Sequence, residues 1–252
     1  MERKRLNRKN SGQTLIITSL VITLLLLSVV YYVFEVERKG GMQTTTSLNS
    51  YVLAIKLGSR NTVISALVNV SNGGENEVLT ANLNELSSII GNQSHFGKCS
   101  LLFAPLNSSP YQSGIWVSWG SNGLGVSSAY ANFTLDFTGI QADVQLEYDV
   151  NITATLNVEG VYWNLTETEK QVNVTCRVFN EGEPALANSF VVRYDNGSNW
   201  VQPQHYNQID YGNGTYRLTF NANITASTVQ VSVGAYDWRE VYVQANTTCT
   251  ET

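Results

Sequence analysis

Residues 152–158 read Ile-Thr-Ala-Thr-Leu-Asn-Val, an apolar side chain at every second position. Successive side chains of an extended strand point to opposite faces, so this run predicts a strand with one buried and one wetted face. The same period holds on both sides of it. Phe133, Leu135 and Phe137 alternate with Thr134 and Asp136, and Val144 to Tyr148 continues the pattern. Downstream, strands are predicted over 171–179, 189–194, 215–220, 229–236 and 241–245. Turn-forming residues separate them: Asn180 to Pro184, Asp195-Asn196-Gly197 and Tyr211 to Gly214. Several short strands at roughly ten-residue spacing, with no helix between them, predict an antiparallel sandwich.

Upstream of about Trp116 the period is helical. Leu48, Val52, Ile55, Ser59, Val63, Ala66 and Val70 recur at three- and four-residue steps, and Asn72-Gly73-Gly74 is a stop signal. Leu79, Leu83, Leu86 and Ile90 mark a second helix before Gly91. Together they predict an αα-hairpin. Its apolar faces pack either on each other and the β region, or on another subunit.

Residues 14–34, TLIITSLVITLLLLSVVYYVF, carry no charge. As a helix, 21 residues rise about 30 Å, the thickness of a bilayer's hydrocarbon core. The expectation is a single transmembrane helix. Arg3, Lys4, Arg5, Arg8 and Lys9 precede it, which orients the N-terminus to the cytoplasm and the remainder outside. A cleaved signal peptide is the competing reading, but no small-x-small site follows. The expected organisation is a basic cytoplasmic leader over 1–13, the membrane helix over 14–34 and a helical juxtamembrane segment over 42–95. A β-rich segment over 100–147 and a sandwich over 148–252 follow.

The segment Lys9-Asn10-Ser11-Gly12-Gln13-Thr14-Leu15 resembles the processing site of archaeal type IV pilin-like precursors: a short basic leader, a small residue at the cut, then Gln opening an apolar helix. The resemblance implies cleavage between Gly12 and Gln13, and a helix that both anchors the subunit and packs into a filament core. Ile17 stands where many pilins carry glutamate, as in archaellin-type proteins, and Gly40-Gly41 is expected to interrupt the helix. An uncleaved anchor is the other reading. Two further pieces, Asp210 to Tyr216 (DYGNGTY) and Val172 to Pro184 (VNVTCRVFNEGEP), are similar to turn-and-strand units of filamin-type and adhesion-type Ig-like modules. That resemblance implies an Ig-like sandwich over about 148–252. Trp200, 24 residues after Cys176, is a candidate core tryptophan.

Composition narrows the function. Only 14% of residues are charged and the net charge is −5. Past the basic leader the chain is acidic, which argues against nucleic-acid binding. Asn-x-Ser/Thr occurs at Asn69, Asn92, Asn107, Asn132, Asn151, Asn164, Asn173, Asn196, Asn213, Asn223 and Asn246. With 26 asparagines, chance gives about five such sites. All lie beyond the apolar helix, as glycosylation acceptors of an exported segment must. Asn196 and Asn213, in predicted turns, are the best candidates.

Cys99, Cys176 and Cys249 form no CxxC pair, and His95 and His205 are the only histidines, so zinc-site spacing is absent. Outside the cytoplasm one disulfide is expected, Cys176 with Cys249, both in the C-terminal β region. The alternative is three free buried thiols. Asp195 to Asn199 places oxygen ligands at alternate positions, as a weak calcium loop would, but lacks an acidic closing residue, and a simple turn explains it. The aromatic side chains, five tryptophans among them, read either as core or as a sugar-binding surface.

No nucleophile elbow, phosphate loop or HExxH is present, and no cofactor or metal is expected. The reading is non-enzymatic: a pilin-like structural or assembly subunit at the cell surface, with membrane lipid and its own copies as partners. The alternative is a membrane-tethered extracellular adhesion module for a glycan or protein ligand.

Overall fold

The computed structural model describes residues 10–92, 97–139 and 143–252, with side chains left out over parts of the first helix. The expected leader residues 1–9 and His95 lie outside the described residues. Two compact units are present, residues 1–54 and 55–252.

The first unit is helical from Asn10 onward, the leading part of α1 (Asn10–Ser71). The expected break at Gly40-Gly41 is absent, and α1 is a single helix. Two glycines cost about 1 kcal/mol each inside a helix, which propagation through good helix formers on both sides offsets. The transmembrane helix expected over 14–34 is corrected as well. Among the described residues no helix is long and apolar enough to cross a membrane. The described side chains of that stretch are residues 23–24 and 26–32, with Glu35 following.

The second unit begins inside α1. Ile55, Ser59, Val63, Ala66, Leu67 and Val70 are buried, the face that the three- and four-residue spacing predicts. The helix ends at a Schellman-type cap. Gly73 takes φ +99°, Gly74 N–H donates to Asn69 O at 2.9 Å and Gly73 N–H to Val70 O at 3.0 Å. After this turn α2 (Val78–Asn92) buries Leu79, Leu83 and Ile90. The αα-hairpin is therefore present, and it packs on the β region. Ser87 Oγ donates to Leu101 O at 2.7 Å, Ser59 Oγ and Tyr148 Oη are 2.9 Å apart, and Lys56 Nζ lies 5.2 Å from the Tyr148 ring centroid.

Among the described residues twelve strands follow. The larger sheet runs β1 (Gly97–Pro105), β3 (Leu124–Gly139), β4 (Asp143–Asn164), β5 (Glu169–Asn180), β10 (Thr215–Asn223), β9 (Tyr206–Asp210), all neighbours antiparallel. Strand β2 (Ile115–Trp119) shares β3's outer edge with β1, and β6 (Glu183–Pro184) adds to β5. The smaller sheet is β8 (Trp200–Val201), β7 (Ala187–Asp195), β11 (Val229–Asp237), β12 (Tyr242–Glu251). The two join through a short parallel pairing, Thr250 with Val161 and Glu251 with Tyr162.

The expected boundary at 147/148 falls inside β4, a 22-residue strand paired with β3 from Asp143 to Asn157. Inward positions of β4 run without a break through Tyr148, Val150, Ile152, Ala154, Leu156 and Val158. The helical hairpin covers one end of this face and the smaller sheet covers the other. At the second end the sheets approach closely: Ser127 Oγ donates to Tyr242 O at 2.7 Å, and Gly125 lies against the Gln244 carbonyl with no room for a Cβ. Phe190 meets Tyr216 edge-on with ring centroids 4.8 Å apart. Between the layers Leu156, Val174, Leu218, Val231 and Val233 are fully buried. Each such side chain contributes about 1.5–3 kcal/mol by leaving water.

A charged clasp holds the layers at a hairpin. Asp237, 1% exposed, accepts from Arg239 Nε at 2.7 Å and from the backbone N–H of Arg239 and Val241 at 2.8 and 3.0 Å. Arg239 reaches across to Glu181 at 2.5 Å, on the turn after β5.

Candidate functional site

Three features stand apart from the packed core. The first is the helical stretch of the N-terminal unit. Leu24, Leu26, Leu27, Val29, Val30, Tyr31 and Tyr32 are 57% to 68% exposed. Residues 26–32 occupy about two helical turns, at about 100° per step, so their side chains project on every side. A stripe on one face would suit one partner groove. An all-round apolar surface needs surroundings on all sides. Gly12 and Gln13 lie near the start of the same helix.

The second feature is an open groove of about 1090 Å³ at the β9 edge of the larger sheet. Outward positions of β5 and β10 floor it: Glu169 and Gln171, then Arg217, Thr219, Asn221 and Asn223. Tyr206 and Asn207 of β9 and the segment from Val201 to His205 border it. Asn221 Nδ2 donates to Glu169 Oε1 at 2.9 Å, while the buried Nε of Arg217 has no hydrogen-bond partner. Amide donors and acceptors with one under-used cation suit a hydroxylated ligand that carries an acidic group. The sequence reading missed these residues because each is an ordinary polar outward position of a strand. The pairing of β5, β10 and β9 brings them together.

The third feature is the distribution of sequons. Asn69, Asn92, Asn107, Asn132, Asn151, Asn164, Asn196, Asn213 and Asn223 are exposed, and Asn173 and Asn246 are half-buried. In the two predicted turns the side-chain carbonyl is used locally. Asn196 Oδ1 accepts from Ser198 and Asn199 N–H at 3.0 and 2.9 Å, and Asn213 Oδ1 accepts from Thr215 N–H at 3.1 Å. Both Nδ2 atoms remain available at an exposed tip. Asn164 differs, since its Nδ2 donates to Glu251 Oε1 at 2.5 Å. Asn196 and Asn223 line the groove, and Asn173 accepts from Thr219 at 3.4 Å beside it.

The expected Cys176–Cys249 disulfide is not formed. Both keep their thiols, Cys99 forms no disulfide either, and all three are buried. Cys176 faces Val158 across β4 and β5, while Cys249 sits against Gly160, two residues further along the same face of β4. Burial pushes the Cys249 thiol from 9.0 up to about 12, and pushes Cys176 up as well. Neither is a nucleophile near neutral pH.

In the turn from Asp195 to Asn199, Asp195 Oδ1 accepts from Gly197 N–H at 2.9 Å, the geometry of a simple Asx-turn. Among the described residues no group of three His, Cys, Asp or Glu could hold a metal ion. His205 is exposed at the groove's rim. The aromatic side chains fall into both groups. Tyr162, Tyr194, Tyr216, Phe133 and Phe220 are core, whereas Trp119, Trp200 and Trp238 are exposed and Trp116 and Trp163 half-buried. Trp200, at 45% exposure, is not a core tryptophan.

No protein-family model, no curated protein and no solved structure matches the chain.

Proposed function

We propose that the chain is a non-enzymatic structural or assembly subunit of the cell surface. Its N-terminal helix packs among the same helices of other copies, and its glycosylated, Ig-like β region is displayed outside the cytoplasm. The observation that carries this reading is the all-round exposure of residues 26–32, seven consecutive side chains of which six are Leu, Val or Tyr at more than half exposure on successive faces. Leaving a leucine in water costs about 1.5–3 kcal/mol. Bundling with several copies removes that cost on every side at once, which one groove cannot do. The pilin-like processing motif at Gly12-Gln13 supports the same reading, because a trimmed leader leaves the apolar helix at the mature N-terminus.

A photo-crosslinking residue placed at Leu27 in the native host tests it. The proposal expects ladders of covalent multimers joined through residues near 27. Crosslinks to an unrelated protein, or to lipid alone, would refute it. N-terminal sequencing of the same material checks for Gln13.

The groove favours a second reading, a binding module for an acidic glycan. It competes with glycosylation, because sugars on Asn173, Asn196 or Asn223 would occupy the same space. Arg217→Ala abolishing retention on an immobilised uronic-acid polymer would support it, and unchanged retention would remove it.

A further inference from the structure

Apart from the groove lies a polar cluster, buried at Lys170 and Tyr162 and exposed at Asn164 and Glu251, that the assembly reading does not use. Lys170 opens β5 on the inward face and is only 5% exposed. It is the cross-strand partner of Asn164, the last residue of β4. Its Nζ donates to Asn164 Oδ1 at 3.1 Å and lies 4.2 Å from the centre of the Tyr162 ring. Glu251, brought from the last strand, accepts from Asn164 Nδ2 at 2.5 Å through Oε1, and its Oε2 lies 3.5 Å from Tyr162 Oη. Tyr162 Oη also donates to the Ser227 carbonyl, which fixes the ring. A cleft of about 550 Å³ opens onto the group.

A lysine that caps a sheet end ordinarily reaches solvent with its amine. This one is folded inward onto a carboxamide whose nitrogen is held by a carboxyl group. Amine, carboxamide and carboxylate are thus joined by two hydrogen bonds through the one Asn164 side chain.

We propose that Lys170 and Asn164 form an intramolecular isopeptide bond, with Glu251 as the proton-transfer residue. The lysine amine, once its extra proton has gone to solvent in the cleft, adds to Cγ of Asn164 and forms the Nζ–Cγ bond. The Asn164 carbonyl pair moves onto Oδ1, and Glu251 passes the proton that Nζ sheds to Nδ2. The carbonyl re-forms, the Cγ–Nδ2 bond breaks with its electron pair on nitrogen, and ammonia leaves. One amide nitrogen replaces another, so no oxidant, reductant or co-reactant is required. The product staples the β4–β5 hairpin at the end of the sandwich. It also removes Asn164 from the glycosylation acceptors, since both reactions consume the same side-chain nitrogen.

The test is mass spectrometry of the purified full-length chain after enzymatic deglycosylation, with and without trypsin. Trypsin cuts after a free lysine, so residues 171–177 appear as a separate peptide only if Lys170 is unmodified. The proposal expects that peptide to be missing and the intact mass to be short by one ammonia. Glu251→Gln restores both the cut and the mass, and so does Asn164→Ala. Release of residues 171–177 from wild type, or a glycan on Asn164, overturns the proposal. Should both variants fail to fold, the wild-type mass decides alone.

Discussion

Leucine and valine are abundant both in the stretch 24–32 and between the two sheets, yet they meet opposite fates. Leu27 is 60% exposed and Val30 67%, whereas Leu218 and Val231 are fully buried. The difference lies in what surrounds them. Along most strands of the β region apolar positions alternate with polar ones, so one face is offered inward and the second sheet or the helical hairpin covers it. In the helical stretch the apolar residues are consecutive, and their described side chains are exposed. The first pattern completes a fold within a chain; the second, on the proposed reading, is completed by other chains.

Breaking the second pattern has the largest expected effect. Leu27→Lys combined with Val30→Lys puts two charges on neighbouring positions of one helix face, and the multimer is expected to dissociate to monomer on size-exclusion chromatography with light scattering. The thermal midpoint of the β region stays unchanged. Truncating one leucine in each region sharpens the contrast. Leu218→Ala costs about 2–5 kcal/mol in chemical denaturation, through lost burial and the cavity left behind. Leu27→Ala leaves that stability within about 0.5 kcal/mol and weakens assembly only.

The clasp between layers comes next. Asp237→Ala leaves Arg239 half-paired and two backbone N–H groups without their acceptor, a loss of about 2–4 kcal/mol in the same assay. A smaller effect separates the β region from the stem by pH. The Cys249 thiol titrates near 12 when folded, against 9.0 ordinarily. Between those values the unfolded chain has lost a proton that the folded chain keeps, so stability is whole below about pH 9 and falls as pH rises toward 12. Cys249→Ser is expected to flatten that alkaline slope. The native thiols are expected to resist alkylation at pH 8 and react on unfolding.

The alternation was enough to locate most strands. β5, β10 and β11 begin and end within three residues of the predicted runs, because turn residues such as Asp210 to Gly214 bound them. The joining of Val144–Tyr148 and Ile152–Val158 into one strand was harder to read, since Asp149 looks like a break. It sits on the outward face, where a carboxylate is harmless, and the inward series continues past it. β1 falls largely within the expected β-rich segment 100–147, but its run Leu101-Leu102-Phe103 has no clear period to mark it as a separate strand. Two glycines exaggerated a helix boundary that flanking residues carry across. The site residues were legible only in part. Sequons and the processing motif are local words, but Asn164, Lys170 and Glu251 are brought together by strand pairing across 87 residues between Asn164 and Glu251, and no local pattern announces that.

The account turns on whether the apolar helix is covered by copies of itself. Sedimentation equilibrium of the full-length chain in detergent-free buffer, over a range of concentrations, measures this directly. Discrete multimers that dissociate in Leu27→Lys/Val30→Lys are the predicted result. A wild-type chain that stays monomeric, or that associates only when lipid vesicles are added, would contradict it.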